Sequence, residues 1–151
     1  MSRQNSQFIF KIILVLSIIL PISLYAQNTN DVNLAIGFFK KGDSLLYYKD
    51  FNGSIENFEK ALERYTVNDD WTHIAMTHNK LSECYINIYN LPKTLFHAEQ
   101  ALKVVEEKVN TGDNPRQKAR ALDNMGTYYM KGKSDLDLSI ISFKASLLNS
   151  L

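Results

Sequence analysis

From about residue 35 onward, apolar positions recur three and four residues apart, and no stretch alternates polar and apolar as a half-buried strand would. The pattern is that of amphipathic helices. Three segments also resemble one another. The first is Gly42-x-x-Leu45, followed by Ser54-Ile55-x-x-Phe58-x-x-Ala61-Leu62. The second is Leu81-Ser82-x-x-Tyr85, followed by Thr94-Leu95-x-x-Ala98-x-x-Ala101-Leu102. The third is Met125-Gly126-x-x-Tyr129, followed by Ser139-Ile140-x-x-Phe143-x-x-Ser146-Leu147. Gly42, Ser82 and Gly126 stand 40 and 44 residues apart. The steps from Gly42 to Ser54, Ser82 to Thr94 and Gly126 to Ser139 are 12, 12 and 13, so the third segment has one extra residue, around 131–134.

Start and stop signals divide each segment into two helices. A first helix is predicted near Val32–Lys49 with Asp31 as its cap, and a second near Ser54–Tyr65, opened by Asn52-Gly53. Asp70 caps a third near Trp71–Tyr89, and Pro92 sits in the first turn of a fourth that runs to about Val109. Residues 110–115, Asn-Thr-Gly-Asp-Asn-Pro, read as a loop. A fifth helix follows near Arg116–Lys131, with Gly132 as stop and Ser134 as cap for a sixth that runs to the end. Two antiparallel helices cannot bury their apolar stripes alone, so such units stack. The small residues Gly42, Ser82, Gly126, Ser54, Thr94, Ser139, Ala61, Ala101 and Ser146 mark where helices approach closely, and Leu45, Tyr85, Tyr129, Phe58 and Phe143 fill the space between units.

This arrangement resembles the tetratricopeptide repeat, which places a small residue and then an aromatic in helix A, and small-x-x-x-aromatic-x-x-small in helix B. The resemblance covers roughly residues 35–151. The chain departs from the family at Lys41, where Leu is usual, at Ser82 in place of Gly, at Ala98 in place of an aromatic, and in lacking Pro after Ala61. Its period is also longer than the family's 34 residues. The resemblance implies an all-α, right-handed superhelical stack of antiparallel helix pairs, three repeats long, at about 35–68, 75–109 and 116–151. It implies further that the A helices line a concave groove. Carried over residue by residue, the groove positions are Phe39, Asp43, Leu46 and Tyr47 from the first unit, Asn79, Lys80, Glu83 and Asn87 from the second, and Arg120, Asp123, Asn124, Thr127 and Lys131 from the third. Some members grip C-terminal carboxylates with a Lys, Asn, Asn, Lys, Arg clamp. Here only Arg120 fits it, because Phe39, Asp43 and Lys80 occupy other places in the set.

The amino terminus belongs to a different kind of segment. Arg3 and Lys11 precede an uncharged, Ile- and Leu-rich run over Ile12–Ala26, and no acid occurs before Asp31. That is the layout of a secretory signal peptide, 1–26, cut between Ala26 and Gln27, with 27–34 as a lead-in. The alternative is an uncleaved membrane anchor, but 15 helical residues reach only about 22 Å against a hydrocarbon core of about 30 Å. Removing Arg3 and Lys11 from the 17 basic residues leaves 15 against 16 acidic ones, a balance that gives no electrostatic pull toward nucleic acid or anionic lipid. One cysteine, Cys84, excludes an internal disulfide framework.

Candidate chemistry is sparse. His73 and His78 are five apart and diverge by roughly 140° on a helix, and His97 lies on another helix, so no metal-binding pair is expected. Cys84 reads as packing, and Asp69-Asp70 and Glu106-Glu107 read as caps or solvated faces. There is no Gly-rich phosphate loop and no Gly-x-Ser-x-Gly. The expectation is a non-enzymatic interaction module without cofactor or metal, exported to the periplasm or secreted, which holds a peptide or helix in its groove. The other reading is the sensory front segment of a membrane histidine kinase or transcription regulator. The last helix carries Leu136, Leu138, Ile140, Ile141, Phe143, Leu147, Leu148 and Leu151 without the polar outer face of a terminal helix, which offers a route to self-association.

Overall fold

The structure is a computed structural model and describes residues 31–108 and 114–150. The expected signal segment and residues 27–30 of the lead-in lie outside the described residues, as do residues 110–113 of the expected loop. The described residues are all-helical. Residues 31–47 form α1, followed by α2 (Phe51–Val67), α3 (Trp71–Asn87), α4 (Leu91–Glu107), α5 (Asn114–Tyr128) and α6 (Leu136–Asn149). Neighbouring helices pack on one another in chain order, and α3 also touches α5. No helix among the described residues is long and apolar enough to cross a membrane.

One junction design recurs. Each of the first three helices ends in a residue with positive φ (Lys49 63°, Asp69 52°, Tyr89 58°). The next residue is Asp50, Asp70 or Asn90, whose side chain accepts from the backbone N–H three residues on and so caps the following helix. That same residue's own N–H reaches back to the carbonyl of Leu45, Tyr65 or Tyr85 at 2.9–3.0 Å. Those bonds, with the N–H of the left-handed residue reaching back three, form the double-bonded C-terminal motif that satisfies the last carbonyls of a helix. One residue thus closes one helix and opens the next, which sets a spacing of 20 from Asp50 to Asp70 to Asn90. The repeat of 40 is two such steps.

The junction before α6 differs. Tyr129–Lys133 form a π turn, Ser134 takes the left-handed conformation (φ 53°), and Asp135 N–H reaches back six residues to Tyr129 O at 3.1 Å. A π turn takes up one extra residue, which is the extra residue in the third segment. The cap of α6 is Asp135, which accepts from Leu138 N at 3.0 Å, and not Ser134. A Cβ on Gly132 would stand 2.9 Å from Leu91 Cδ1, the end of a side chain that can turn aside. Two other starts also differ from expectation. Asp31 lies within α1 and holds Arg64 Nη1 at 2.7 Å, and α5 begins at Asn114, taking Asn114 and Pro115 into the helix.

No glycine among the described residues has positive φ, so each junction carries the strain of a side chain in the left-handed region. Tyr89 is the bulkiest of these, and its ring is largely exposed. Tyr89→Gly should therefore raise stability by about 1 kcal/mol, seen as a melting temperature roughly 3–5 °C higher. An unchanged or lower temperature would mean that Tyr89 makes compensating contacts.

Packing follows the small residues. Ser54, Thr94, Ser82, Ala61 and Ala101 are fully buried. Ser54 Oγ donates to Gly42 O and Ser82 Oγ donates to Thr94 O, both at 2.8 Å, so the first two hairpins are pinned by the same bond in opposite directions. A Cβ on Gly42 would lie 2.8 Å from the Phe58 ring, and one on Gly126 would lie 2.7 Å from the Phe143 ring. Ile55, Phe58, Leu81, Cys84 and Tyr85 make one core cluster, and Ala35, Ala61, Tyr65 and Ile74 make another.

Candidate functional site

Two cavities lie along the odd-numbered helices. The first, about 410 Å³, is lined by Asp43, Leu46 and Tyr47 of α1, Lys49 and Phe51 at the junction, and Lys80, Glu83 and Asn87 of α3. The second, about 450 Å³, is lined by Asn79, Lys80, Glu83 and Ile86 of α3 and by Arg120, Asp123, Asn124 and Thr127 of α5. Lys80 and Glu83 border both, so the two join into one groove across α1, α3 and α5. On helix α3 the lining positions 79, 83 and 86 fall three and four apart, which is one face.

The thirteen groove positions expected from the sequence separate clearly in space. Eleven line one or both cavities. Phe39 does not. Its ring lies 5.3 Å from Phe58 and 6.4 Å from Tyr65, packed into the core beside α2. Lys131 does not either, since it sits exposed in the π turn. Lys49, Phe51 and Ile86 were not expected there. The first two come from the junction and not from an A helix, and Ile86 continues the α3 face by one more step.

Charge is unevenly distributed along the groove. Lys80 Nζ lies 2.6 Å from Asp43 Oδ1 and 3.9 Å from Glu83 Oε2, so it bridges α1 and α3 at the point where the cavities meet. Arg120 and Asp123 form no ion pair with another described residue and face the second cavity free. The first cavity supplies the apolar surface of Leu46, Tyr47 and Phe51.

Asn79 is the least exposed residue of the groove, 3% accessible. Its Nδ2 donates to Gln117 O at 3.0 Å and to Gln117 Oε1 at 3.2 Å, and its own carbonyl accepts from Asn124 Nδ2 at 3.1 Å. Two acceptors on Gln117 fix the amide orientation, because a flipped group would set oxygen against oxygen. Asn79 Oδ1 is then a buried acceptor without a partner among the described residues. A buried polar atom left unbonded costs about 1–3 kcal/mol.

The histidines are arranged otherwise than the sequence shows. His73 Nδ1 is 2.8 Å from Asp70 Oδ2, and its ring stacks on Tyr65 at 4.8 Å. His78, turned away from it, meets His97 of α4 with Nδ1 atoms 2.9 Å apart. His97 in turn stacks on Tyr85, ring centres 5.3 Å apart and 5° from parallel. The Tyr85 hydroxyl is held at 3.0 Å by both Glu59 Oε1 and Lys93 Nζ. Burial pushes His78 and His97 down to about 4, the latter helped by the neighbouring imidazole and Lys93. The pair could be found by counting outward from the Ser82–Thr94 contact, since about one turn further along each helix of the hairpin, four residues before 82 and three after 94, lie 78 and 97. Cys84 is fully buried against Ser54 Oγ at 3.3 Å, and burial pushes its thiol up to about 11. Among the described residues no three His, Cys, Asp or Glu side chains are grouped to hold a metal ion.

Comparisons with protein-family models, with curated proteins and with solved structures give no match for this chain.

Proposed function

We propose that the protein is an exported, long-period tetratricopeptide-type scaffold that binds a segment of another polypeptide along the α1–α3–α5 groove and carries out no reaction of its own. The helix pairs stack, on this reading, as a right-handed superhelix with the groove on its concave side. The observation that carries the proposal is the continuous groove across α1, α3 and α5, about 450 Å³ in its larger part, whose two cavities join at Lys80 and Glu83. A groove that crosses three helices accommodates an extended or helical segment, whose side chains then meet a succession of different surfaces. The rest of the groove agrees with such a ligand. Tyr47 and Leu46 suit an apolar side chain at one end, and Arg120 and Asp123 suit charged ones at the other. The paired contacts of Gly42 with Phe58 and Gly126 with Phe143 support the family reading.

The test is selection of a random-peptide display library on the full chain, followed by affinity measurement on variants. Tyr47 and Arg120 are exposed and hold no fold contact that their replacement would break severely. Peptides selected on the wild type should bind Arg120→Glu and Tyr47→Ala at least tenfold more weakly, about 1.4 kcal/mol or more each, with helical circular dichroism unchanged. Selected peptides that ignore both substitutions would place binding elsewhere on the surface and end the proposal.

A further inference from the structure

Helix α6 buries polar positions and leaves apolar ones exposed. Its buried positions are Ser139 and Ser142, while Leu136, Leu138, Ile140, Ile141, Leu147 and Leu148 are exposed by 41–76%. At 100° per residue, those six side chains fall on one continuous half of the helix. Matched to the earlier even-numbered helices, Ile140 and Leu147 correspond to Ile55 and Leu62 of α2, which pack in the clusters shared with α3. Ile141 and Leu148 correspond to Glu56 and Glu63, outward charges on α2, and Leu148 to Lys103 on α4. The apolar surface on α6 therefore extends past the row that a following repeat helix covers, onto the row that α2 keeps charged. A contiguous face of this kind marks an interaction surface.

Two charges interrupt the face, Asp137 and Lys144, and both lie on its centre line because seven residues make almost two full turns. Neither forms an ion pair with another described residue. They are symmetric about the point between Ile140 and Ile141. If two copies of α6 lie antiparallel across a twofold axis at that point, Asp137 of each copy faces Lys144 of the other, and the isoleucines meet at the axis. A parallel pairing would instead set like against like. A twofold contact of this sort is self-complementary. We infer that α6 is a homodimer interface, in which two copies of the chain pair antiparallel through the exposed α6 face, in the register that matches Asp137 with Lys144. This pairing does not depend on the groove being a binding site.

Charge exchange tests both the occupant and the register. The full chain should sediment as a concentration-dependent dimer. Asp137→Lys and Lys144→Asp, each alone, turn two attractions into two repulsions and should weaken dimerisation at least tenfold. The two single variants mixed, or the double variant Asp137→Lys/Lys144→Asp alone, should recover it. Ile141→Glu should leave a monomer, and circular dichroism should be unchanged in all of them, since these side chains are exposed. A monomeric wild type overturns the inference. So does a dimer indifferent to both single changes, which would assign association to the amino-terminal apolar segment or another face. Weakening without recovery on mixing would rule out the antiparallel register.

Discussion

Phe58→Ala should destabilise the protein by about 3–5 kcal/mol, the usual cost of emptying a phenylalanine-sized core site. Phe58 is fully buried and lies against Gly42, Phe39 and the α3 side chains Leu81 and Cys84. The more informative result concerns its neighbour. Gly42→Ser alone should cost about 1–3 kcal/mol, because the added Cβ stands 2.8 Å from a ring that has nowhere to move. The double variant Gly42→Ser/Phe58→Ala should cost clearly less than the sum. It reproduces the second repeat, where Ser82 and Ala98 occupy the corresponding positions and both are fully buried. The two departures of that repeat from the family pattern are thus one compensated exchange of volume, a larger residue on helix A for a smaller one on helix B. Chemical denaturation of the four proteins gives the coupling directly, and strict additivity would show that the two positions do not share space.

The same pairing explains why so much of the fold was legible. Glycine, serine and alanine recurring at fixed steps are read as close approaches of helices, and those approaches fix which helices are neighbours. The A-helix face was legible for the same reason, since Asp43, Lys80, Asn124 and their neighbours follow from helical spacing once the register is set. Phe39 was not legible. It shares a helical face with Asp43, but Gly42 lets α2 come close, and the gap beside Phe58 and Tyr65 accepts a ring whose burial is favourable by about 1.5–3 kcal/mol. Phe38, its neighbour in sequence, is also half-buried against the cluster of Ala35, Ala61, Tyr65 and Ile74, and lies beneath Lys60 and Arg64, 5.8 and 5.9 Å from their charged groups. Both members of the adjacent aromatic pair meet α2, which their separation of about 100° on a helix allows but does not declare.

Lys131 was misplaced for a different reason. The extra residue was visible as a step of 13 in place of 12, yet its consequence lay in the backbone. A π turn has more residues per turn than an α-helix, so the row carrying Arg120, Asp123 and Thr127 does not continue through it. The junction chemistry was half legible. Asp70 declared itself, whereas Asp50 and Asp135 were hidden by Asn52-Gly53 and Ser134, residues equally suited to turns. The unpartnered oxygen of Asn79 has no signature in sequence, because it depends on Gln117, thirty-eight residues away, supplying two acceptors and no donor.

Stability should fall steeply on mild acidification, and the His78–His97 pair should be the main cause between pH 6.5 and 5. In the unfolded chain each imidazole gains its proton near 6.5, whereas in the fold burial holds both down to about 4. Across that window the unfolded state binds more protons, so unfolding becomes easier as pH falls. Above 6.5 both states are neutral and the pair costs nothing. A full displacement of this size corresponds to roughly 3 kcal/mol for one histidine. The pair contributes less than twice that, because the first proton can be accommodated. One imidazolium can still donate through Nδ1 to its neutral partner, whereas a second proton sets two N–H groups against each other at 2.9 Å. The surroundings offer little relief, since His97 is covered by the Tyr85 ring and flanked by Phe96, Lys93 opposes its protonation, and Glu59 is engaged by the Tyr85 hydroxyl. Melting temperatures of the wild type and His97→Gln at pH 7.5, 6 and 5 separate this effect from carboxylate titration, which both proteins share. The variant should start less stable at pH 7.5 and lose distinctly less between 7.5 and 5. Histidine ring proton shifts should show two imidazoles still neutral at pH 5.5. Parallel losses in the two proteins, or charged rings for both residues at pH 6, would mean that solvent reaches the pair and that α3 and α4 are not closed over it.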